Sequence, residues 1–213
     1  DTVSWGIGLG LVLGLPAAVA LFMLADGLIA TVFMSITGGA MTVTDARMAA
    51  LALEMFAIAL PGFVLVRILA PAFYAHEDTQ RPFRYASYSV VANLLVSLST
   101  FQWLGHVGLA WATAIAAWGN VLGLYLGLVH SGRYRLDTKA LKAAGRAIFA
   151  AGLLAAGLHF LVGDLSWLYL SEIQRVVWMA GTCAVGFGGY FLTLFALGFR
   201  LEDLNHYSSQ PAE

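Results

Sequence analysis

Several stretches of this chain run for more than twenty residues without a charge, among them Trp5–Ala25, 21 residues, and Val176–Phe199, 24 residues. About 20 apolar residues of helix, rising 1.5 Å each, cross the ~30 Å hydrocarbon core of a bilayer. Inside that core each backbone N–H and C=O must be bonded within its own segment, so such runs fold as membrane helices. The rest of the chain agrees, being 60% hydrophobic and 11% charged, where a soluble domain carries about 25% charged residues. A net charge of −1 gives nucleic acid no electrostatic footing. The single cysteine, Cys183, excludes an internal disulfide and a cysteine metal site, and reads as a small packing residue. The first apolar run has no basic leader and is too long for a signal peptide. The sequence opens almost directly into a helix and lacks a starting Met, which reads as part of a larger protein.

The pattern predicts an all-α integral membrane protein with six transmembrane helices. The expected spans are 5–33, 47–74, 83–104, 107–130, 141–162 and 174–199, forming one lobe over 1–204 with a polar tail at 205–213. In span one, Gly6, Gly10 and Gly14 make a small face that another helix can approach. Pro16 should kink it. Asp26 reaches the interface or caps a break with Gly27, or else it lines a cavity. Thr44 or Asp45 is the expected cap of span two, which should break at Pro71. A polar elbow, His76–Arg81, follows, with span three restarting after Pro82. Within the elbow, Glu77-Asp78 read as a cap before a turn. Asn93 and Ser97 lie one turn apart in span three, and a short link makes spans three and four an antiparallel pair. Gly119, Gly123 and Gly127 form a second small face. Trp103, Trp111, Trp118 and Tyr125 read as interface anchors or packing, and His159 as an interface residue. Lys139, Lys142 and Arg146 suit a helix entering from a headgroup layer.

Two charges interrupt span two. Glu54 and Arg67 are 13 residues apart, about 20 Å along a helix, so they cannot pair with each other. A charge in an apolar span needs a function or a route to the interface. Nine of the eleven Lys and Arg residues fall at one side of the six-span arrangement; only Arg47 and Arg175 fall at the other. By the positive-inside rule the elbow, the basic loop after span four and both termini are cytoplasmic.

The sequence has no phosphate-cradling Gly-Lys-Ser loop, no HExxH, no GxSxG and no CxxC. Its five histidines are scattered without metal-ligand spacing. The expectation is therefore a transporter or membrane scaffold without enzymatic activity, resident metal or cofactor.

The segment Leu60–Arg84, LPGFVLVRILAPAFYAHEDTQRPFR, resembles a recurrent segment of the MurJ/MviN lipid II flippase family, in the multidrug/oligosaccharidyl-lipid/polysaccharide exporter superfamily. The likeness extends through Gly14-Leu15-Pro16-Ala17-Ala18, the Gly108-Leu109-Ala110…Ala116-Ala117-Trp118…Asn120 run and Leu197-Gly198-Phe199. It implies the last six of fourteen spans, in the inner membrane of a bacterium, with an N-terminal lobe elsewhere in the protein. It implies alternating access carrying lipid-linked peptidoglycan precursor between leaflets. The polyprenyl tail would stay in lipid along spans five and six. Arg67 stands at a basic position of the family, and with Glu54 and Asn93 it is a candidate substrate contact. Snorkelling of Arg67 to the cytoplasmic interface is the competing reading. The resemblance further implies a sodium site at Asn93, Ser97, Leu109 and Thr113, with sodium or the membrane potential as driving force. Ser97 replaces the family's Asp there, and interhelical hydrogen bonding fits the same residues. The loop after span one is uncharged at Phe33–Gly39, where the family often carries charge. Two other functions fit the same chain: half of an exporter for another polyprenyl-linked sugar or small molecule, and a non-transporting scaffold.

Overall fold

A computed structural model describes residues 2–34, 41–132, 138–163, 165–167 and 170–198. Six long helices alternate in direction: α1 (Thr2–Met23), α3 (Val43–Tyr74), α4 (Gln80–Leu104), α5 (His106–His130), α6 (Thr138–Val162) and α7 (Glu172–Ala196). A five-residue helix, α2 (Ala25–Ile29), and a π-helical turn, Ala30–Met34, follow α1. Five of the long helices are long and apolar enough to cross a membrane; α4 is long enough but too polar. It is also the most peripheral. Among its described residues only Pro82 is fully buried.

The N-terminal helix does not run unbroken to Phe33. The chain leaves helical geometry at Leu24 (φ −105°, ψ 10°), and Asp26 sits exposed in the first turn of α2. Pro16 stays inside α1. It has no N–H, so the carbonyl of Val12 loses its partner four residues on. Tyr190 of α7 supplies one: its buried hydroxyl donates to Val12 O at 2.7 Å. Gly6 and Gly10 pack against Ile68, and Gly14 against Val64, so α1 lies close against α3 as the glycine spacing predicts.

The N-cap of α3 is Thr42, not Thr44 or Asp45. Thr42 and Asp45 form a reciprocal capping box, with Asp45 N donating to Thr42 Oγ1 at 3.2 Å. The helix runs through Pro71 to Tyr74 instead of breaking there. The direction changes in the elbow, where Glu77 adopts φ 58°, a left-handed conformation that costs a non-glycine residue of order 1 kcal/mol. Asp78 then caps α4, accepting from Arg81 N at 3.2 Å and pairing with the Arg81 guanidinium at 3.4 Å. Helix α4 therefore begins at Gln80 and carries Pro82 in its first turn, where no intrahelical N–H is needed. Gly105 alone joins α4 to α5; its φ of 55° and ψ of −134° belong to glycine space.

Packing sets the rest. Ala59, Ala114 and Ala117 form a small-residue seam between α3 and α5, with Gly62 against Ala117. The Trp118 indole crosses that seam to donate to Ile58 O at 3.0 Å. The Gly123 and Gly127 face admits the ring of Tyr85 rather than a helix backbone, and Gly119 faces open space. A second core joins α1, α6 and α7 through Val12, Leu24, Leu154, Leu158, Tyr190 and Leu194. Arg146 donates to Gly198 O at 3.3 Å, tying the start of α6 to the end of α7. Cys183 is exposed on α7 rather than packed. The tail from Phe199, the basic residues 133–137, the loop at 35–40 and the side chain of Lys139 lie outside the described residues.

Candidate functional site

Three helices build one cleft, mostly apolar in its lining but carrying five polar side chains. Each contributes residues spaced i, i+3, i+4, i+7, a single helix face. Leu60, Phe63, Val64 and Arg67 come from α3, with Val66 beside them; Ala86, Ser89, Val90 and Asn93 from α4; Thr113, Ala116, Ala117 and Asn120 from α5. The cleft holds about 580 Å³. The small seam between α3 and α5 closes its floor, and the exposed helix α4 forms one wall.

Depth can be counted from the shared end of the bundle, where α3 and α5 finish and α4 begins. At 1.5 Å per residue, Arg67 lies about 10 Å from Tyr74, Ser89 about 14 Å from Gln80 and Asn120 about 15 Å from His130. Asn93 lies about 20 Å in and Thr113 about 26 Å. The polar groups thus form a ladder with the cation nearest one mouth. Arg67 is exposed along this face. Asn120 Oδ1 is buried and has no hydrogen-bond partner.

The expected substrate contacts divide. Arg67 and Asn93 share the cleft. Glu54 does not line it; on the other half of α3, the charges acting on it are Asp26 and Arg47. The expected sodium ligands divide too. Ser97 donates to Asn93 Oδ1 at 3.0 Å, and Thr113 donates to Leu109 O at 2.9 Å. Only Asn93 and Thr113 of these four face the cleft. The set is neutral throughout, so its oxygen dipoles alone would have to replace a cation's water shell. Among the described residues no group of three His, Cys, Asp or Glu could hold a metal.

Asn120 was visible in the sequence only as one letter of a family run. Its register could have exposed it: Thr113 and Asn120 are seven apart, two turns along one face of α5. Arg175 reads in the sequence as a charge at a span end, yet it is buried. Its Nε donates to Trp167 O at 2.9 Å and its Nη1 to Ala30 O at 3.4 Å, holding the segment before α7 against the π-helical turn.

The family model for lipid II flippase MurJ matches residues 1–185. The chain belongs to the MurJ family. A probable lipid II flippase MurJ of Vibrio cholerae is 33% identical over 205 residues, covering 95% of this chain and 38% of its own length. The corresponding protein of Haemophilus influenzae is 30% identical, over 96% of this chain and 39% of its own. The lipid II flippase MurJ of Burkholderia cenocepacia is 33% identical over 93% of this chain. The chain therefore spans under two-fifths of the MurJ relatives it matches. A solved lipid II flippase MurJ in an inward closed conformation superposes with a TM-score of 0.66 at 20% identity, covering 88% of this chain and 36% of that one. That likeness shows the fold: an all-helical, multi-pass membrane protein.

Proposed function

We propose that this chain is the C-terminal portion of a two-lobed transporter in the inner membrane of a bacterium. It carries lipid-linked peptidoglycan precursor, lipid II, from the cytoplasmic to the periplasmic leaflet by alternating access. The observation that carries this reading is the cleft itself: Arg67, Ser89, Asn120, Asn93 and Thr113 aligned along one groove of an otherwise apolar bundle. A polar, anionic headgroup cannot cross hydrocarbon unaided, whereas a polyprenyl tail need not leave it. A groove with a cation at its mouth and neutral hydrogen-bonding groups beyond suits the headgroup. Membership of the MurJ family supports lipid II as the substrate. Arg81, Arg84, Lys142 and Arg146 sit at the end of the bundle where α4 and α6 begin, while Arg47 and Arg175 sit at the other. By the positive-inside rule the Arg67 mouth faces the cytoplasm, where the precursor is loaded.

The test is rescue of a flippase-depleted bacterium by the full-length protein carrying this segment. The wild type should restore growth, Arg67→Lys should restore most of it, and Arg67→Leu should not. Rescue by a normally inserted Arg67→Leu variant equal to wild type would reduce Arg67 to a snorkelling residue. Failure of the inserted wild type would refute the transport reading.

A further inference from the structure

We propose that a second groove, between the start of α4 and the end of α5, holds a bilayer phospholipid by its phosphodiester, with Arg81, Tyr85 and His130 as the hydrogen-bond donors. The site is separate from the Arg67 cleft and needs only that this end of the bundle lies at a membrane surface.

The groove has a volume of about 640 Å³ and shares no lining residue with the Arg67 cleft. Arg81 and Tyr85 of α4 form one side, and the face of α5 from Gly123 to His130 forms the other. Arg81 is the second residue of α4 and His130 the last of α5, so both stand at the level where membrane helices meet headgroups. Tyr85, one turn further in, lays its ring against Gly123 and Gly127. Its hydroxyl stands 2.8 Å from where a Cβ of Gly127 would be, about 5 Å before His130 along α5. The three polar groups thus fall within about one helical turn of depth.

None of the three is used up by the protein. The Tyr85 hydroxyl and the His130 ring have no hydrogen-bond partner among the described residues. The Arg81 guanidinium meets Asp78 through Nε, at 3.4 Å, which leaves both Nη groups without a partner among them. All three are open to the surroundings. His130 is exposed, the Arg81 side chain is 44% exposed, and the Tyr85 hydroxyl is not one of the closed, unpaired atoms, which are Thr31 Oγ1 and Asn120 Oδ1.

Water or a free ion would satisfy such donors, but the wall beside them selects something else. Leu126 and Val129 are 53% and 42% exposed along the groove, and with Gly123 and Gly127 they continue it toward hydrocarbon. A phospholipid places its phosphate among the donors and its first acyl carbons on that wall, so one molecule meets both halves of the groove. Basic pockets between membrane helices recognise headgroups in this way, and a guanidinium on a phosphate oxygen makes the stronger, charge-assisted kind of hydrogen bond. Asp78 offsets part of the Arg81 charge, which suits the single charge of a phosphodiester better than the higher charge of a pyrophosphate. A lipid so held bridges the start of α4, the most polar long helix, to the end of α5.

The test uses purified full-length protein in detergent with three probes. These are dioleoylphosphatidylglycerol, dioleoylglycerol without the phosphate, and glycerol 3-phosphate without the chains. Wild type should bind the phospholipid about tenfold more tightly than either fragment. Arg81→Gln should weaken phospholipid binding about tenfold, and Tyr85→Phe, which keeps the ring on Gly123 and Gly127, about threefold. Arg67→Leu should leave it unchanged. Equal binding of dioleoylglycerol would reduce the groove to an apolar contact, and equal binding of glycerol 3-phosphate would make it a site for free phosphate esters; either overturns the proposal. So does undiminished binding in a folded Arg81→Gln variant or, where the loss of the Asp78 pair prevents folding, in Tyr85→Phe. A loss in Arg67→Leu would move the lipid into the other cleft and overturn it as well. The transport reading stands or falls separately, on rescue of the depleted bacterium.

Discussion

Pro16 and Tyr190 are 174 positions apart in sequence and solve one problem together. A proline within a membrane helix leaves a carbonyl four residues earlier without a donor, and hydrocarbon offers no water to replace it. Here that carbonyl belongs to Val12, and the donor is the Tyr190 hydroxyl at 2.7 Å. Tyr190→Phe should destabilise the protein by about 1 kcal/mol, the usual net value of such a bond. In a Pro16→Ala background the backbone N–H returns to position 16, so the same substitution should cost close to nothing. A double-mutant cycle in mixed-micelle unfolding reads this coupling directly. A Tyr190→Phe cost that is the same in both backgrounds would mean that the hydroxyl serves some group other than the orphaned carbonyl. Neither residue announces the other in the sequence: Pro16 is legible as a kink, and Tyr190 only as an aromatic in an apolar run. What joins them is the antiparallel placement of α7 on α1.

At the scale of the element, glycines at similar spacing do different things. Gly27 is filled from outside by the Trp167 ring and the Met179 methyl, at 2.6 to 2.8 Å from where a Cβ would stand. Trp167 is buried and its carbonyl is held by Arg175, so the ring has little freedom to retreat. Gly27→Ala should therefore cost about 1–3 kcal/mol by overpacking. Gly152 of α6 is exposed with nothing near its would-be Cβ, so Gly152→Ala should stabilise α6 by about 0.5–1 kcal/mol through helix propensity. Opposite signs in unfolding measurements on the two variants are the expected outcome; two shifts of one sign would contradict the packing described. The same contrast shows what sequence patterns carry. Helix existence was legible because apolar runs of span length have no other fold in hydrocarbon. The α1–α3 approach was legible because Gly6, Gly10 and Gly14 repeat at helical spacing. The breaks were not. Pro71 looks like a helix end, yet α3 absorbs it and turns at Ala75, while Leu24, with no breaker chemistry of its own, is where α1 stops.

At the scale of the whole molecule the anomaly is α4. It has the length of a span, 25 residues, yet it is the one long helix too polar to qualify as a membrane-crossing segment. Its serines, Thr100 and Asn93 explain both facts. Several of the hydroxyls donate back to carbonyls of their own helix, as Ser87, Ser89, Ser99 and Thr100 do, which lowers the cost of placing them in lipid without removing it. Asn93 and Ser89 belong to the cleft wall, so the same residues that make α4 a poor span make the groove polar. This is why the candidate site was half legible: Arg67 and Asn93 stand out as polar letters in apolar runs, whereas their convergence with Asn120 depends on three helices meeting. Its single-glycine turn joins α4 to the more apolar α5, and Tyr85 fills the space over Gly123 and Gly127. These contacts favour insertion as a hairpin, with α5 supplying the hydrophobic driving force. In a translocon insertion assay with glycosylation reporters, the 80–104 segment alone should insert poorly, and the 80–130 hairpin should insert with both ends on the cytoplasmic side. Replacing Asn93 and Ser97 with Leu should let the isolated segment insert, since each exchange removes a polar side chain from hydrocarbon. Efficient insertion of the unmodified 80–104 segment would show that α4 needs no partner, and would remove the link between its polarity and its place in the cleft.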